Sequence, residues 1–488
     1  MARPLAKMNI DQLIQLPEGK KLEFKRDLSS VKPLMKTLVA FANTAGGKLI
    51  IGIADDKQVI GVDDPLTEEE RLGNLVADSI TPRLVPSIEM VTIESKTLLI
   101  VEVYLSNTRP HWLTALGLER GVMVRLGSSN RQAGLELIAD LQRSVSNQYF
   151  DEMPMPELTV DDLDMDAAQQ LFADKRDLNQ QALLSLKLLT HHQARLVPTK
   201  GAVLLFGKQR SFYFNDAWIQ CGRFIGKDRT DIFDHIELYD HLPQAADSII
   251  MFLKKHAMRG SDFSELRRKD VWSIPLGILR EVVINALVHA DYSQRGMPMR
   301  VAFYDDRIEI ESSGLLLPGM TVEDMKRGTS MIRNPIIARV FRELDLIEQW
   351  GSGVRGMYNE AKQLGLPEPV IEEVAMRVRV TVWLAKALPV PKPDKGSRAQ
   401  SGAQSWAQSD QTPQSQSVLI CQMLEDQPLS ASNLLHILGL NSKTGAFKRA
   451  IKELLEQGLI EYTIPDKPNS RLQKYRLTDK GLKSPKDL

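Results

Sequence analysis

Two cysteines in 488 residues, Cys221 and Cys421, are too few for a disulfide scaffold. Neither has another Cys or a His at ligand spacing, so no structural zinc is expected. No segment approaches the ~18 consecutive apolar residues of a membrane-spanning helix. The first twenty residues, MARPLAKMNIDQLIQLPEGK, carry charge where a secretory leader needs an apolar run. These absences predict a soluble, cytoplasmic protein of a reducing compartment, with no membrane partner. Net charge is missing too: Lys+Arg and Asp+Glu both number 62. Any nucleic-acid surface must therefore be a local basic patch on a neutral chain. No G-x4-G-K-[ST] phosphate loop occurs anywhere, and without it the chain is not a true helicase.

What is present is globular: 43% of residues are hydrophobic and 25% charged. The length suits about three domains. From Leu388 to Gln416 the chain is made of Pro, Ser, Gln, Gly and Ala with one aromatic residue, Trp406. Such a stretch buries too little apolar surface to offset its ordering entropy and reads as a flexible tether. Before it, residues 20–135 alternate strand-like runs (KLIIGIA, LLIVEVYL, VMVRLG) with a helix at Val31–Thr44, an α+β pattern. Residues 136–155 read as a polar junction. Helices are then expected to dominate 160–195, with a strand pair near AVLLFG (202–207) and AWIQCGRFIG (217–226) and a long helix over about 242–258. The predicted domains are 1–140, 156–386, a linker at 387–416, and 417–488.

Two patterns bear chemistry. In the first, Glu18 and Glu23 flank the start of a strand on which Phe24 points inward and Glu23 and Lys25 share the other face. Asp55 and Asp56 sit in the turn after the strand 48–53. Carboxylates converging from two segments suit a Mg²⁺-dependent phosphodiesterase, though on spacing alone a solvated strand face and a polar hairpin turn are the commoner case. In the second, Glu281, Asn285 and His289 stand at i, i+4 and i+8, one file on a helix whose other positions are apolar (Ile278, Val282, Val288). Burying that file without partners would be costly, which favours a ligand-facing role. A hairpin follows over 299–311 and leads to Ser312-Ser313-Gly314. Next come Arg333-Asn334-Pro335, and then Gln349-Trp350-Gly351-Ser352-Gly353. Backbone amides of a glycine pair can approach a phosphate closely.

The motifs E-x4-E-F-K (18–25), F-A-N-T-x-G-G (41–47), L-I-I-G-I (49–53), V-I-G-V (59–62) and R-L-G-S-S-N (125–130) resemble the AlbA-like domain of the Schlafen family, over about residues 17–135. The resemblance implies DNA or RNA binding. In nuclease-active members an acidic triad cuts RNA, and it would fall on Glu18, Glu23 and Asp55. Ala54 stands where the family often has an acid. The E-x3-N spacing of Glu281 and Asn285 resembles the N-box of the Bergerat ATPases. That implies an α/β sandwich binding ATP, with Asn285 holding Mg²⁺ and Glu281, the catalytic residue, polarising water. His289, Ser312, Gly314, Gly351 and Gly353 would complete the nucleotide site. Ser312 stands where that family has an adenine-contacting Asp. The run N-A-L-V-H-A-D-Y-S, D-D-R-I-E-I, R-N-P, W-G-S-G is similar to the RecG-like C-terminal subgroup.

Residues 417–488 hold eleven Lys and Arg against eight Asp and Glu. The order helix, helix–turn–helix, strand–loop–strand predicts a winged helix. Lys443, Lys448, Arg449 and Lys452 lie on or near the exposed side of its second helix, and Lys467, Arg471 and Lys474 in the wing. This surface suits DNA phosphates, or alternatively a protein partner. The expected whole is an α+β multidomain protein: an AlbA-like head, a Bergerat-type domain and a winged helix. It is expected to act as a homodimeric, ATP-responsive, DNA-binding transcriptional regulator. The alternatives are a metal-dependent nuclease gated by ATP, in defence against foreign nucleic acid, and an interaction scaffold.

Overall fold

The computed structural model describes residues 9–257, 259–262, 269–347 and 353–384. In the C-terminal part it describes 420, 424, 428–430, 434, 451, 454–463, 474–478 and 480. The chain forms two compact units, Met1–Lys392 and Pro393–Leu488. Both mix helix and sheet, and among the described residues no helix is long and apolar enough to cross a membrane.

The first unit begins with a four-stranded sheet in the order Leu22–Lys25, Gly47–Ile51, Lys96–Val103, Ser87–Ile93. Its first pair is parallel and the others antiparallel. The helix Val31–Thr44 connects the parallel pair and is buried from Leu38 onward. It stops where Gly46 takes φ +68°, a left-handed cap, and a Cβ there would lie 2.8 Å from the Val103 carbonyl oxygen. Asn43, wholly buried, ties this end to the rest of the head. Its amide donates to the carbonyls of His111 (2.8 Å) and Met123 (2.9 Å), and its oxygen accepts the His111 N–H (2.7 Å). The F-A-N-T segment thus has a packing reason for its asparagine: every polar atom of a buried amide is satisfied.

The body is a six-stranded sheet in the order Asp231–Leu238, Ile219–Ile225, Met299–Phe303, Arg307–Ser313, Arg377–Trp383, Val370–Val374. Only Ile219–Ile225 and Met299–Phe303 run parallel. The strand alternation puts Ile308 and Ile310 into the core with Val301, Phe303 and Val382, while Glu309 and Glu311 point the other way. The helices Leu242–His256, Leu276–His289 and Gly353–Gln363 close that core.

One expectation is corrected. AVLLFG is not a strand: Lys200–Phe206 is a helix whose N-cap, Thr199, accepts the Ala202 N–H at 3.2 Å. An apolar run buried on all sides has no periodicity to separate helix from strand. Within 160–195 the helices Met165–Phe172 and Gln180–Ser185 give way near the end to a hairpin, Leu189–His192 with Arg195–Pro198, that was not expected.

The polar stretch 136–155 holds the helix Leu135–Val145 and one fully buried carboxylate, Asp151. Its Oδ2 accepts the N–H groups of Ile336 (2.7 Å) and Ile337 (3.1 Å), the first turn of the helix Pro335–Glu343. Burial pushes its carboxyl up to about 7, against the pull of those two amides. Because the native value is raised, the group's contribution to stability is full below the unfolded value near 4 and is lost as pH rises through about 7. The expected outcome is that the parent loses stability relative to Asp151→Asn between pH 4 and pH 8, by up to about 4 kcal/mol. Urea unfolding at several pH values measures this, and parallel pH profiles for the two proteins would refute it.

Candidate nucleotide site

The helix Leu276–His289 carries the polar file into a cavity of about 300 Å³, within the size range of small-ligand sites. Glu281, Asn285, His289, Ser312 and Gly353, four of them far apart in sequence from the fifth, all line it. The rest of the wall is mostly apolar, including Leu315, Leu317, Met320, Met331 and Val378. Strand alternation explains Ser312: it shares the pocket side of its strand with Ile310, whereas Glu309 and Glu311 face away.

Asn285, which lines the cavity, donates through Nδ2 to Glu281 Oε1 at 2.7 Å, which fixes the amide nitrogen and leaves Oδ1 as an acceptor. Gly353 packs against the same carboxylate: a Cβ there would collide with Glu281 Oε1. A carboxylate and an amide oxygen are hard oxygen donors of the kind that Mg²⁺ takes together with a nucleotide's phosphates. Burial, and then the Arg333 guanidinium, push the His289 imidazole down to about 4, so it is neutral at pH 7 and offers one donor and one acceptor. Gly314 does not line the cavity. Its φ of +91° and its closeness to Asp291, whose Cβ would lie 2.6 Å from a Cβ at 314, make it a backbone turn. Gly351 lies outside the described residues.

Sequence reasoning passed over what holds the site. In Arg333-Asn334-Pro335, Asn334 Nδ2 donates to the carbonyls of Val288 and Ala290, both at 2.8 Å, and so satisfies the end of the pocket helix. Arg333, which lines the cavity, binds Asp140 (2.8 Å) and the Leu315 carbonyl (2.6 Å). The cue was an Arg-Asn pair directly before a helix-starting proline.

The N-terminal acids are placed differently from a metal triad. Glu18 Oε1 accepts the Phe24 N–H at 2.9 Å. Glu23 is buried, and its carboxylate binds the Arg125 and Lys25 side chains. Arg125, fully buried, also reaches Asn130 Oδ1 (2.9 Å) and the Gly19 carbonyl (3.1 Å). Asp55 is exposed in its turn. Among the described residues no group of three or more His, Cys, Asp or Glu is arranged to hold a metal ion.

In the second unit Leu429–Ser430, Lys474–Leu477 and Ile460–Tyr462 form a sheet in that order, over a core of Ile420, Leu424, Leu434, Ile451 and Leu454. Lys474 is exposed on it. Lys443, Lys448, Arg449, Lys452, Lys467 and Arg471, with the linker 387–416, lie outside the described residues.

Comparison with known proteins gives three family matches. Residues 18–134 match the family described as "Schlafen, AlbA_2" and residues 296–382 that described as "Putative ATP-dependent DNA helicase recG C-terminal". Residues 415–478 match "Filamentation induced by cAMP protein Fic-like, C-terminal domain". No curated protein matches the chain. Among solved structures, the DIP2311 protein from Corynebacterium diphtheriae is 18% identical over 94% of this chain and 95% of its own, with a TM-score of 0.40. The N-terminal domain of the "Putative ATP-dependent DNA Helicase RecG-related Protein" from Nitrosomonas europaea is 30% identical over 26% of this chain and 90% of its own, with a TM-score of 0.21. Along the chain, then, a match to the Schlafen AlbA_2 family precedes a match to the RecG C-terminal family.

Proposed function

We propose that this protein binds ATP and nucleic acid together, and acts as a DNA-binding transcriptional regulator whose grip on nucleic acid answers to ATP. The match to a RecG C-terminal domain and the clustered Glu281, Asn285 and His289 support the nucleotide; the Schlafen AlbA_2 match supports nucleic acid at the head. Residues 417–488 are read as a winged helix reaching DNA through its basic side, a reading supported by the small sheet and the exposed Lys474. With nucleotide bound, Asn285 would hold Mg²⁺ and Glu281 would orient the water for hydrolysis.

The observation that carries the link between the two ligands is a shared wall. Leu315–Leu317 and Met320 line the cavity, and the same segment is fastened to the head. The Gly319 N–H donates to the Thr44 carbonyl at 2.7 Å, at the end of the head's buried helix. Glu373 accepts the Leu316 N–H at 2.9 Å and pairs with Lys20 at 2.7 Å, two residues from Glu18. A ligand that shifts this wall therefore has a direct mechanical route to the head, and the route runs both ways.

Two outcomes are expected. Asn285→Ala abolishes the Mg·ATP-dependent rise in melting temperature, which at a hundred times Kd corresponds to about 2.7 kcal/mol. Glu281→Ala keeps that rise and loses phosphate release. A parent that shows no shift at millimolar Mg·ATP would overturn the nucleotide reading. Second, ATP changes the parent's nucleic-acid affinity by roughly fivefold or more, and Lys20→Met removes most of that change without altering ATP binding. Fluorescence anisotropy with and without ATP decides it, and an undiminished ATP effect in Lys20→Met counts against the shared wall.

A further inference from the structure

The face of the six-stranded sheet turned away from the cavity is crowded with arginine. Arg229 donates to Tyr304 Oη (2.8 Å), Glu309 (3.3 Å) and Glu311 (2.7 Å). Arg307 Nε binds Glu309 at 2.7 Å, and Arg379 binds Glu311 through Nε (2.9 Å) and Nη2 (2.8 Å). Both buried carboxylates are thereby taken.

Two guanidinium groups are left over. Arg377, buried, donates through Nη1 to the Pro298 carbonyl at 2.7 Å. Arg300 sits opposite Glu311 in register, yet among the described residues its side chain makes no hydrogen bond or ion pair, and its Nε is buried without a partner. Burial, and then the nearby Arg300 charge, hold Arg377 below its ordinary value; Glu311 and Asp216 pull the other way. Asp216 is itself engaged, accepting the Gly296 N–H at 2.7 Å. A buried guanidinium beside a second one that makes no ion pair among the described residues is unfavourable unless an anion joins them. The planar donor forks of paired arginines match the oxygens of a phosphate.

An aromatic ring lies on the same face. Phe224 covers Gly222, where a Cβ would be 2.9 Å from the ring, and stacks on Tyr304 with centroids 5.3 Å apart. Arginine forks beside a flat ring are what a phosphodiester chain with stacking bases requires.

We propose that this reverse sheet face, centred on Arg300 and Arg377, is a further nucleic-acid contact that takes a backbone phosphate. The proposal rests on the nucleic-acid reading above and adds to it a surface outside the head and the tail. The test uses the full chain, labelled single-stranded DNA and RNA, and a salt series, with melting temperature and the ATP shift as controls for folding. Arg300→Gln is expected to bind several-fold more weakly and to flatten the log–log salt slope by about 0.7. Arg300→Lys should keep most of the slope. Inorganic pyrophosphate should compete only at concentrations that also screen the parent's binding elsewhere. Tight pyrophosphate binding lost in Arg300→Gln, with nucleic-acid affinity unchanged, would make this a free-phosphate site and overturn the proposal. A folded Arg300→Gln with the parent's affinity and slope overturns it while leaving the nucleic-acid reading in place. A parent that binds no nucleic acid overturns both. Should Arg300→Gln not fold, ultraviolet crosslinking of the parent decides: crosslinks within 219–225, 299–304 or 377–383 support the proposal, and crosslinks confined to the head and tail overturn it.

Discussion

Arg333 is a buried positive charge, and what neutralises it determines where three separate parts of the chain can lie. Burial works against the charge, but Asp140 and Asp291 outweigh that and hold the guanidinium above its ordinary value. Asp140 comes from the last helix of the head, Asp291 from just past the pocket helix, and the Leu315 carbonyl from the pocket wall. Removing one partner of a buried pair costs about 3–5 kcal/mol, because the other charge stays behind unpaired. Head, pocket helix and wall are therefore not independently placed. The neighbouring Asn334 and Asp151 extend the same logic, each satisfying a helix end from a distant part of the chain.

That constraint makes the polar file tolerable. A helix bearing Glu281, Asn285 and His289 among apolar neighbours needs either partners or a cavity, and this one has both. Glu281 and Asn285 satisfy each other in part, and Gly353 leaves the space the carboxylate needs. The neutral His289 adds no charge to a wall that already holds Arg333.

Much of this was readable from spacing. The helix Val31–Thr44 followed from the run's pattern, and the i, i+4, i+8 spacing put Glu281, Asn285 and His289 on one helical face, where all three line the same cavity. What spacing could not convey was pairing over long sequence distances. Glu23 reads as one acid on a strand face, and nothing local says that Arg125, 102 residues away, closes over it. Asp151 sits in a stretch that looks like a junction, although its carboxylate serves a helix 185 residues later. Gly314 reads as part of a binding turn, yet its backbone angle and its contact with Asp291 give it a structural job. AVLLFG failed for a different reason: a short run buried on all sides has no polar face to reveal its period.

One amide of the pocket wall records the union of head and body directly. The Gly319 N–H is bonded by Thr44, a residue of the other sub-structure, and not by its own turn. An amide protected only across such a seam exchanges its proton when the seam opens, whether or not either half unfolds. Its hydrogen-exchange rate is therefore a clock for separation of the head from the cavity wall, distinct from amides such as that of Ile138, bonded within its own helix to Gly134. Two time constants, one at the seam and one inside the helix, would distinguish a protein that breathes between its parts from one that melts as a block.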